Sequence, residues 1–350
     1  MFKSKSLIFL FSITFIILII TFPDVSSAGV TRGLIISTNV ILPSLLPFIF
    51  CVMMVIECDF YIKNTIVNKI LYSVFGQNFH MFFVFVLSLI GGYPVGAKLV
   101  NELYNKKAIN NQQANILLLY CVNAGPAFVI SVVGNVFNSR KIGIILFLSN
   151  VISATIIAIL NSKKLRTNQI YKTNLTLKTK TFSEVFINSV NKSTSSIISI
   201  CSFVILFSTI NSYFDYFFKN VPIIKYISYF TEVTNAVTKS HNVYLISFLL
   251  GASGISIWCQ IFTLTSDINV KKTTFIFFRI FHGTLSLFIT KALLTIFKIE
   301  IKVFSNGMYF KKDFLVSNFS LFIAMTVMLI VFMVFIYSKN NSGKILNDMI

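Results

Sequence analysis

The motif at residues 91–98, GGYPVGAK, is the part of this sequence best suited to binding chemistry. Its glycines and proline cannot continue a regular helix, so we expect an unwound turn between two half-helices. Such a turn presents free backbone N–H groups and the positive end of a helix, which suit a carboxylate or a phosphate. The alternative is a close glycine contact between helices, with the Lys98 ammonium at the membrane interface. The candidate binding residues of this motif are Gly91, Gly92, Tyr93, Pro94, Gly96 and Lys98.

Two further polar segments lie within or between apolar runs. NAGP at residues 123–126 places a proline, which lacks an N–H, beside an asparagine amide, and FTEVTNAVT at residues 230–238 supplies a carboxylate, hydroxyls and an amide. Either segment is able to bind a solute or a coupling ion. The alternatives are a proline kink whose freed carbonyl is recapped by the asparagine, and an exposed loop. The candidates are Asn123, Gly125, Pro126, Glu232, Thr234 and Asn235.

The second half of the sequence offers bare backbone and then a cationic group. GASGIS at residues 251–256 and Gln260 supply hydroxyls and an amide but no charge. Arg279 and His282 stand three residues apart, on one face of a helix. An arginine within an apolar run is expensive unless it faces a partner or a cavity, so it is a candidate anion-binding residue. The full set is Gly251, Ser253, Gly254, Ser256, Gln260, Arg279 and His282.

Both residues of this pair also have a structural interpretation. Arg279 would form an intramembrane salt bridge, for example with Glu232 or Glu102. His282 would be a packed or hydrogen-bonded residue, although its ordinary pKa would also allow proton coupling. The sequence leaves both interpretations open.

Several classes of site are excluded or not indicated. The three histidines are far apart, the five cysteines form no C-x-x-C pair, and no H-E-x-x-H or G-x-S-x-G string is present. We therefore expect no enzyme, no metal and no organic cofactor. The formal net charge of +19 is scattered between apolar runs, as topology charges are, so nucleic acid is not an expected partner.

The elements that position these residues must be membrane helices. Of the 350 residues 55% are hydrophobic and 12% charged, with a mean hydropathy of +0.81, which excludes soluble globular classes. We predict an all-α polytopic membrane protein in contact with the lipid bilayer. Pro43 and Pro47 would make a hinge or a wedge in the second run. The predicted apolar runs are 7–22, 34–57, 79–104, 113–136, 142–160, 195–214, 243–265, 273–297 and 317–337, the last a plain lipid-facing helix.

A shift of 160 residues superimposes two halves of the chain without a gap. Residues 87–104 fall on 247–264, so that the two breaker motifs coincide, and Arg32 falls on Lys192. The predicted organisation is an N-terminal anchor helix or signal-like segment at 1–28, a first membrane repeat at 29–160, a basic cytoplasmic loop at 161–194, a second membrane repeat at 195–337 and a polar tail at 338–350.

Each repeat is expected to hold a broken or re-entrant helical hairpin. When both hairpins are taken as re-entrant, the basic residues gather on the cytoplasmic side, as the positive-inside rule requires. This arrangement leaves an odd number of crossings per repeat. The two repeats would then be inverted in the membrane, which is a symmetry on which alternating access is built.

The sequence resembles the YlbJ/SpoVV family of sporulation integral membrane proteins. The resemblance is carried by six motifs in a consistent order: PSLLPF, GGYPVGAK, NAGP, TEVTNA, GASGIS with Gln260, and RIFHG. That family belongs to the wider nucleoside-recognition or gate-domain group, and the similarity spans roughly residues 30–300. GASG stands where a string like FGG is typical, and CVNAGP replaces one like NPGP. These departures concern the assignment of site residues.

This resemblance implies a protein of the cell membrane, specifically the outer forespore membrane of a spore-forming bacterium. It implies transport of dipicolinic acid toward the forespore, with the motif residues named above as the binding site. Dipicolinate is a flat pyridine with two carboxylates, so Arg279, Lys98 and the half-helix ends would bind its charges, and Tyr93 or Trp258 would stack on its ring. The alternatives are a transporter of another small polar solute, such as a nucleoside, and a non-transporting sporulation scaffold. A homo-oligomer stays open.

Overall fold

The computed structural model describes residues 2–57, 65–166, 181–219 and 221–299, and within them the chain is helical with no β-strand. The predicted span at 317–337 and the tail at 338–350 lie outside these ranges. The polar connection predicted at 161–194 is shorter than expected, because one helix runs on to Arg166 and the next begins at Phe182.

We number the helices in chain order, with two π-helical turns, Ser37–Ile41 and Ala127–Val133, between them. The α-helices are α1 Phe2–Thr21, α2 Pro23–Ile36, α3 Leu42–Glu57, α4 Thr65–Phe75, α5 Phe79–Gly91, α6 Val95–Asn105, α7 Asn111–Leu118, α8 Gly134–Val136, α9 Arg140–Arg166, α10 Phe182–Phe217, α11 Pro222–Thr231, α12 Val233–Lys239, α13 Val243–Ala252, α14 Gly254–Leu264 and α15 Lys272–Ile296.

Four stretches among the described residues are long and apolar enough to cross a membrane. They are Arg140–Leu165, Phe182–Phe217, Val243–Leu264 and Lys272–Ile296, and the number is six if each of two bent helix pairs is one span. Many large apolar side chains of α1, α9, α10 and α15 are exposed on the outside, as expected of helices that face lipid. The protein is therefore membrane-embedded, as its composition predicts.

The longest helix contact joins the first helices of the two predicted repeats. From Pro23 to Glu57 the chain is helical throughout, since the π-turn at Ser37–Ile41 connects α2 directly to α3. This segment packs antiparallel along α10. Glycines at the contact admit the α10 backbone, because a Cβ on Gly33 would lie 2.5 Å from the Ile205 Cα. The contacts run in reverse order along the two segments: Phe22 with Phe217, Gly29 with Thr209, Gly33 with Ile205, and Phe50 with Phe186.

Both breaker motifs interrupt a helix, but with different results. After α5 the chain turns at Gly92, and α6 packs back against α5, where a Cβ on Gly96 would lie 2.6 Å from the Ser88 Cβ. Between α13 and α14 the break is confined to Ser253 and Gly254, both with left-handed φ values. The two helices continue as one span-length segment, Val243–Leu264, so the re-entrant form expected there is not found.

The NAGP motif forms a third interruption. α7 ends at Leu118, residues 119–126 are not helical, and the π-turn of Ala127–Val133 follows. A proline at position 126 cannot donate to the carbonyl four residues earlier, which explains why no α-helix continues through it. The counterpart segment of the second half, α15, is an unbroken helix.

Candidate functional site

A cavity of about 300 Å³ lies where the helix interruptions meet. Its wall is mostly apolar. The wall is formed by α3, the α5–α6 turn, the 125–131 segment, α10, the α11–α12 junction and α14. Eight of the sequence-predicted site residues line it: Gly91, Gly92, Tyr93, Gly125, Pro126, Glu232, Thr234 and Gln260.

Two glycines bring two of these interruptions into contact. Gly92 has φ +75° and a Cβ placed on it would lie 2.6 Å from the Gly125 backbone nitrogen. A side chain at this position would therefore be both strained and obstructed. The glycines of GGYPVG and NAGP thus act as a pair, and their contact places Tyr93 and Pro126 on the same cavity wall.

Two prolines of α3 also contribute to the cavity wall. Pro43 and Pro47 lack N–H groups, and the π-turn of Ser37–Ile41 directly precedes them. Both prolines and Phe48 line the cavity. The predicted proline wedge therefore lies at the site, although the sequence did not indicate that it faces the glycine motif.

Glu232 is the acidic side chain of the lining. It caps the N-terminus of α12, and its Oε1 accepts from the Thr234 N–H at 3.5 Å and the Thr234 hydroxyl at 3.2 Å. The Ser256 hydroxyl also approaches the carboxyl group. The residue is 3% exposed, and its Oε2 has no hydrogen-bond partner. One carboxyl oxygen of this cavity-lining residue is thus buried without a hydrogen-bond partner.

Two other polar groups complete the lining near this carboxyl. The Tyr93 hydroxyl is buried and has no hydrogen-bond partner. The Gln260 amide donates to the Ser256 hydroxyl at 3.3 Å. Ser256 in turn approaches the Glu232 carboxyl group, so α14 is connected to Glu232 through this hydroxyl. No lysine, arginine or histidine is among the described residues that line the cavity.

Arg279, the expected anion-binding residue, lies outside the cavity lining. Its two terminal nitrogens donate to the carbonyls of Leu119 and Val122, and its guanidinium lies 5.7 Å from the Phe275 ring centre. Pro126 is four residues after Val122 and cannot donate to that carbonyl, so the arginine replaces the missing bond. Neither the predicted salt bridge with Glu232 or Glu102 nor a position facing the cavity is found.

The neighbours of Arg279 are also committed to packing. His282 is fully buried, and its Nε2 lies 3.2 Å from the Asn150 carbonyl of α9. Gly251 lets α13 approach α15, since a Cβ there would lie 2.8 Å from the Gly283 Cα. Neither of these two candidates lines the cavity.

The remaining candidates serve the helix breaks around the site. The Asn123 amide donates to the Tyr120 carbonyl at 2.7 Å and to the Ser88 hydroxyl at 3.2 Å, so it recaps a different carbonyl from the one Pro126 frees. Asn235 donates to the Ser228 hydroxyl at 3.3 Å. Pro94 precedes α6, and Gly96 admits the Cys121 carbonyl. Ser253 and Gly254 form the α13–α14 break, and Ser256 lies behind Glu232.

Lys98 belongs to an ion-pair cluster that sequence reasoning missed. The Lys98 ammonium lies 3.4 Å from a Glu102 oxygen, and Lys192 of α10 pairs with Glu102 at 2.5 Å and with Glu57 at 2.7 Å. Glu57, the last residue of α3, is buried. The sequence held one indication that Lys192 occupies a special position: it coincides with Arg32 under the 160-residue shift.

No group of three histidine, cysteine, aspartate or glutamate side chains in the described part of the chain is placed to hold a metal ion. Comparison of the chain with protein-family models, with curated proteins and with solved structures finds no match. What the site does must therefore be argued from its own geometry.

Proposed function

We propose that this protein is a membrane transporter of a small polar solute and that the cavity is its binding site. The observation that carries the proposal is a cavity at the meeting point of the broken helices, with a buried carboxyl oxygen left free. Broken helices are tolerated at membrane depth where they face protein or a watery cavity, and transporters place their sites there.

The ends of three helical segments favour a solute with hydrogen-bond acceptors. α6 starts at Val95, the π-turn at Ala127 and α12 at Val233. Tyr93, Pro126 and Glu232, which lie one or two residues before these starts, line the cavity. Helix starts present unpaired N–H groups and partial positive charge. The Val95 N–H already donates to the Gly92 carbonyl, and the Thr234 N–H to Glu232 Oε1. The other N–H groups of these first turns are the proposed polar contacts of the solute, in place of Arg279 and Lys98.

Dipicolinate is the proposed solute, on the resemblance to the YlbJ/SpoVV sporulation proteins, and the outer forespore membrane is the proposed location. The apolar wall and the Tyr93 ring suit a flat pyridine, and the helix starts suit its carboxylates. A nucleoside is the second candidate, because Glu232 and Gln260 accept hydrogen bonds from a neutral solute and no basic side chain is among the described lining residues.

The repeat organisation supports a transporter that alternates between two forms. Under the 160-residue shift, residues 23–57 fall on 183–217, and α10 spans Phe182–Phe217. These related segments lie antiparallel, so they cross a membrane in opposite directions. The shift also brings α5 close to α13, α6 to α14, and the α7–α8 segment to α15. We propose that the two halves are inverted repeats.

The test is uptake of radiolabelled dipicolinate into proteoliposomes that hold the purified protein, with uridine as competitor. We expect saturable uptake that falls at least tenfold in Gln260→Leu, which removes an amide from the lining. Gln112→Leu is the control, because Gln112 is exposed and outside the cavity.

Uptake of labelled uridine without uptake of dipicolinate would favour the nucleoside alternative. Absence of uptake of either solute by correctly folded protein would overturn the transporter proposal and favour a scaffold of the sporulation membrane.

A further inference from the structure

Resting on the transporter proposal, we propose that Glu232 is a proton-binding site and that the solute crosses the membrane together with the proton held on its Oε2. The coupling ion would then be bound inside the solute cavity itself, at the junction of α11 and α12.

The two carboxyl oxygens of Glu232 have unequal hydrogen bonding. Oε1 is held by two donors of Thr234, which orients the group, while Oε2 has no hydrogen-bond partner although the residue is 3% exposed. A buried polar atom of a folded protein is normally hydrogen-bonded. A buried oxygen that is held in place yet left unpartnered, in a residue that lines the cavity, is suited to holding a proton that binds and leaves.

The groups that surround the Glu232 carboxyl are uncharged. The facing groups are the Tyr93 hydroxyl from the α5–α6 turn, Ser256 and Gln260 from α14, and apolar side chains of α3 and α10. Arg279, which like Glu232 lies near Tyr93, donates to two backbone carbonyls and does not line the cavity. An ionised carboxylate without a nearby cation is costly to bury, whereas a protonated one is neutral.

The oxygens available around Glu232 suit a proton better than a metal ion. Calcium takes six to eight oxygen ligands and magnesium requires an octahedral set. Besides the free Oε2, the unpartnered oxygen on this wall is the Tyr93 hydroxyl, and the rest of the lining is largely apolar. A proton needs a single oxygen.

The consequence for an anionic solute follows from charge. A protonated Glu232 donates its O–H to a carboxylate of the solute, whereas an ionised Glu232 repels that carboxylate. The proton is taken up from water on one side onto Oε2 and is released to water on the other, and no bond of the solute changes. An anion therefore enters the cavity together with a proton.

The transport test compares accumulation with exchange in proteoliposomes loaded with dipicolinate. Wild-type protein should accumulate labelled dipicolinate several-fold when the outside is more acidic than the inside. Glu232→Gln, which imitates the protonated group permanently, should lose this accumulation and keep exchange of labelled for unlabelled solute. Asp24→Asn, at an exposed acid outside the cavity, should behave as the wild type does. Gradient-independent uptake by the wild type, or unchanged accumulation by Glu232→Gln, overturns the proposal.

A second measurement does not depend on the solute. Infrared difference spectra of the purified protein across a pH titration should contain a protonated-carboxyl band that is missing from Glu232→Gln and present in Asp24→Asn. A band that titrates in protein without transport would support the proton site and count against the transporter. A missing band in wild-type protein that transports would overturn the proton site and leave the transporter standing.

Discussion

Arg279 illustrates how a charged residue inside a membrane helix can have a structural role. The unwound 119–126 segment leaves main-chain carbonyls without α-helical donors, and Pro126 guarantees that the Val122 carbonyl is one of them. A guanidinium carries several donors in a rigid plane and can serve two carbonyls at once. The residue is fully buried, so no water replaces it.

Replacing Arg279 should therefore destabilise the fold rather than weaken solute binding alone. Arg279→Met leaves the Leu119 and Val122 carbonyls unpaired, at about 1–3 kcal/mol for each buried group. Arg279→Lys should recover part of this loss, because an ammonium donates to fewer fixed positions. Thermal unfolding in detergent measures the effect, with Lys291→Met, at an exposed position of α15, as the control. Full stability of Arg279→Met would contradict the assigned role.

Gly96 provides a second prediction at the residue scale. A Cβ on Gly96 would collide with the Cys121 carbonyl, which belongs to the unwound segment. Gly96→Ala should displace this segment and lower the unfolding free energy by about 2 kcal/mol or more, as overpacking of a rigid contact does. In Gly134→Ala the added methyl group would lie 3.4 Å or more from its neighbours, so little loss is expected. Equal melting temperatures of the two variants would refute the contact.

At the scale of elements, ion pairs join α10 to the first half of the chain at two places. Lys192 links α10 to Glu57 of α3 and Glu102 of α6, and both of these carboxylates are buried. Arg32 of α2 pairs with Asp215 of α10 at 3.5 Å, and these side chains are 44% and 40% exposed. Burial should make the first cluster matter far more than the second.

Lys192→Met and Arg32→Met form a matched pair because the two positions are related by the 160-residue shift. Lys192→Met leaves two buried carboxylates without this partner and should cost about 2 kcal/mol, less than a fully buried pair because Lys192 is itself partly exposed. Arg32→Met should cost less than about 1 kcal/mol. Chemical denaturation of both variants in mixed micelles measures the difference. A larger loss for Arg32→Met would contradict this ranking.

The sequence predicted elements better than it predicted contacts. Apolar runs, glycine clusters and prolines determine where a helix forms or stops, and these are local properties of the chain. Arg279 was assigned to an anion because its real partners, the carbonyls of the 119–126 segment, carry no side-chain signal. Lys192 was counted as a topology charge because the burial of Glu57 depends on how α3 packs against α10. Partners distant in sequence are determined by tertiary packing.

At the scale of the molecule, the antiparallel contact of Pro23–Glu57 with α10 determines which ends share a side of the membrane. α10 has 36 residues and is about 54 Å long, more than the roughly 30 Å of hydrocarbon, so its ends reach water on both sides.

A labelling experiment checks this topology. In a cysteine-free background, cysteines at Asp24 and Lys219 should react with an impermeant maleimide from one side of sealed vesicles. A cysteine at Thr181 should react from the other side. Labelling of all three from the same side would be incompatible with a membrane-crossing α10.

The unequal burial of the two ion-pair clusters has a consequence for conformational change. Lys192 and Asp215 are about 35 Å apart along α10, so the clusters occupy opposite ends of one helix pair. Arg32 and Lys192 coincide under the proposed 160-residue repeat, yet the carboxylates that pair with Lys192 are buried while the Arg32–Asp215 pair is open to solvent. This difference in burial is what one of two conformations related by the proposed repeat would show. In the other conformation the Arg32 cluster would be buried and the Lys192 cluster exposed.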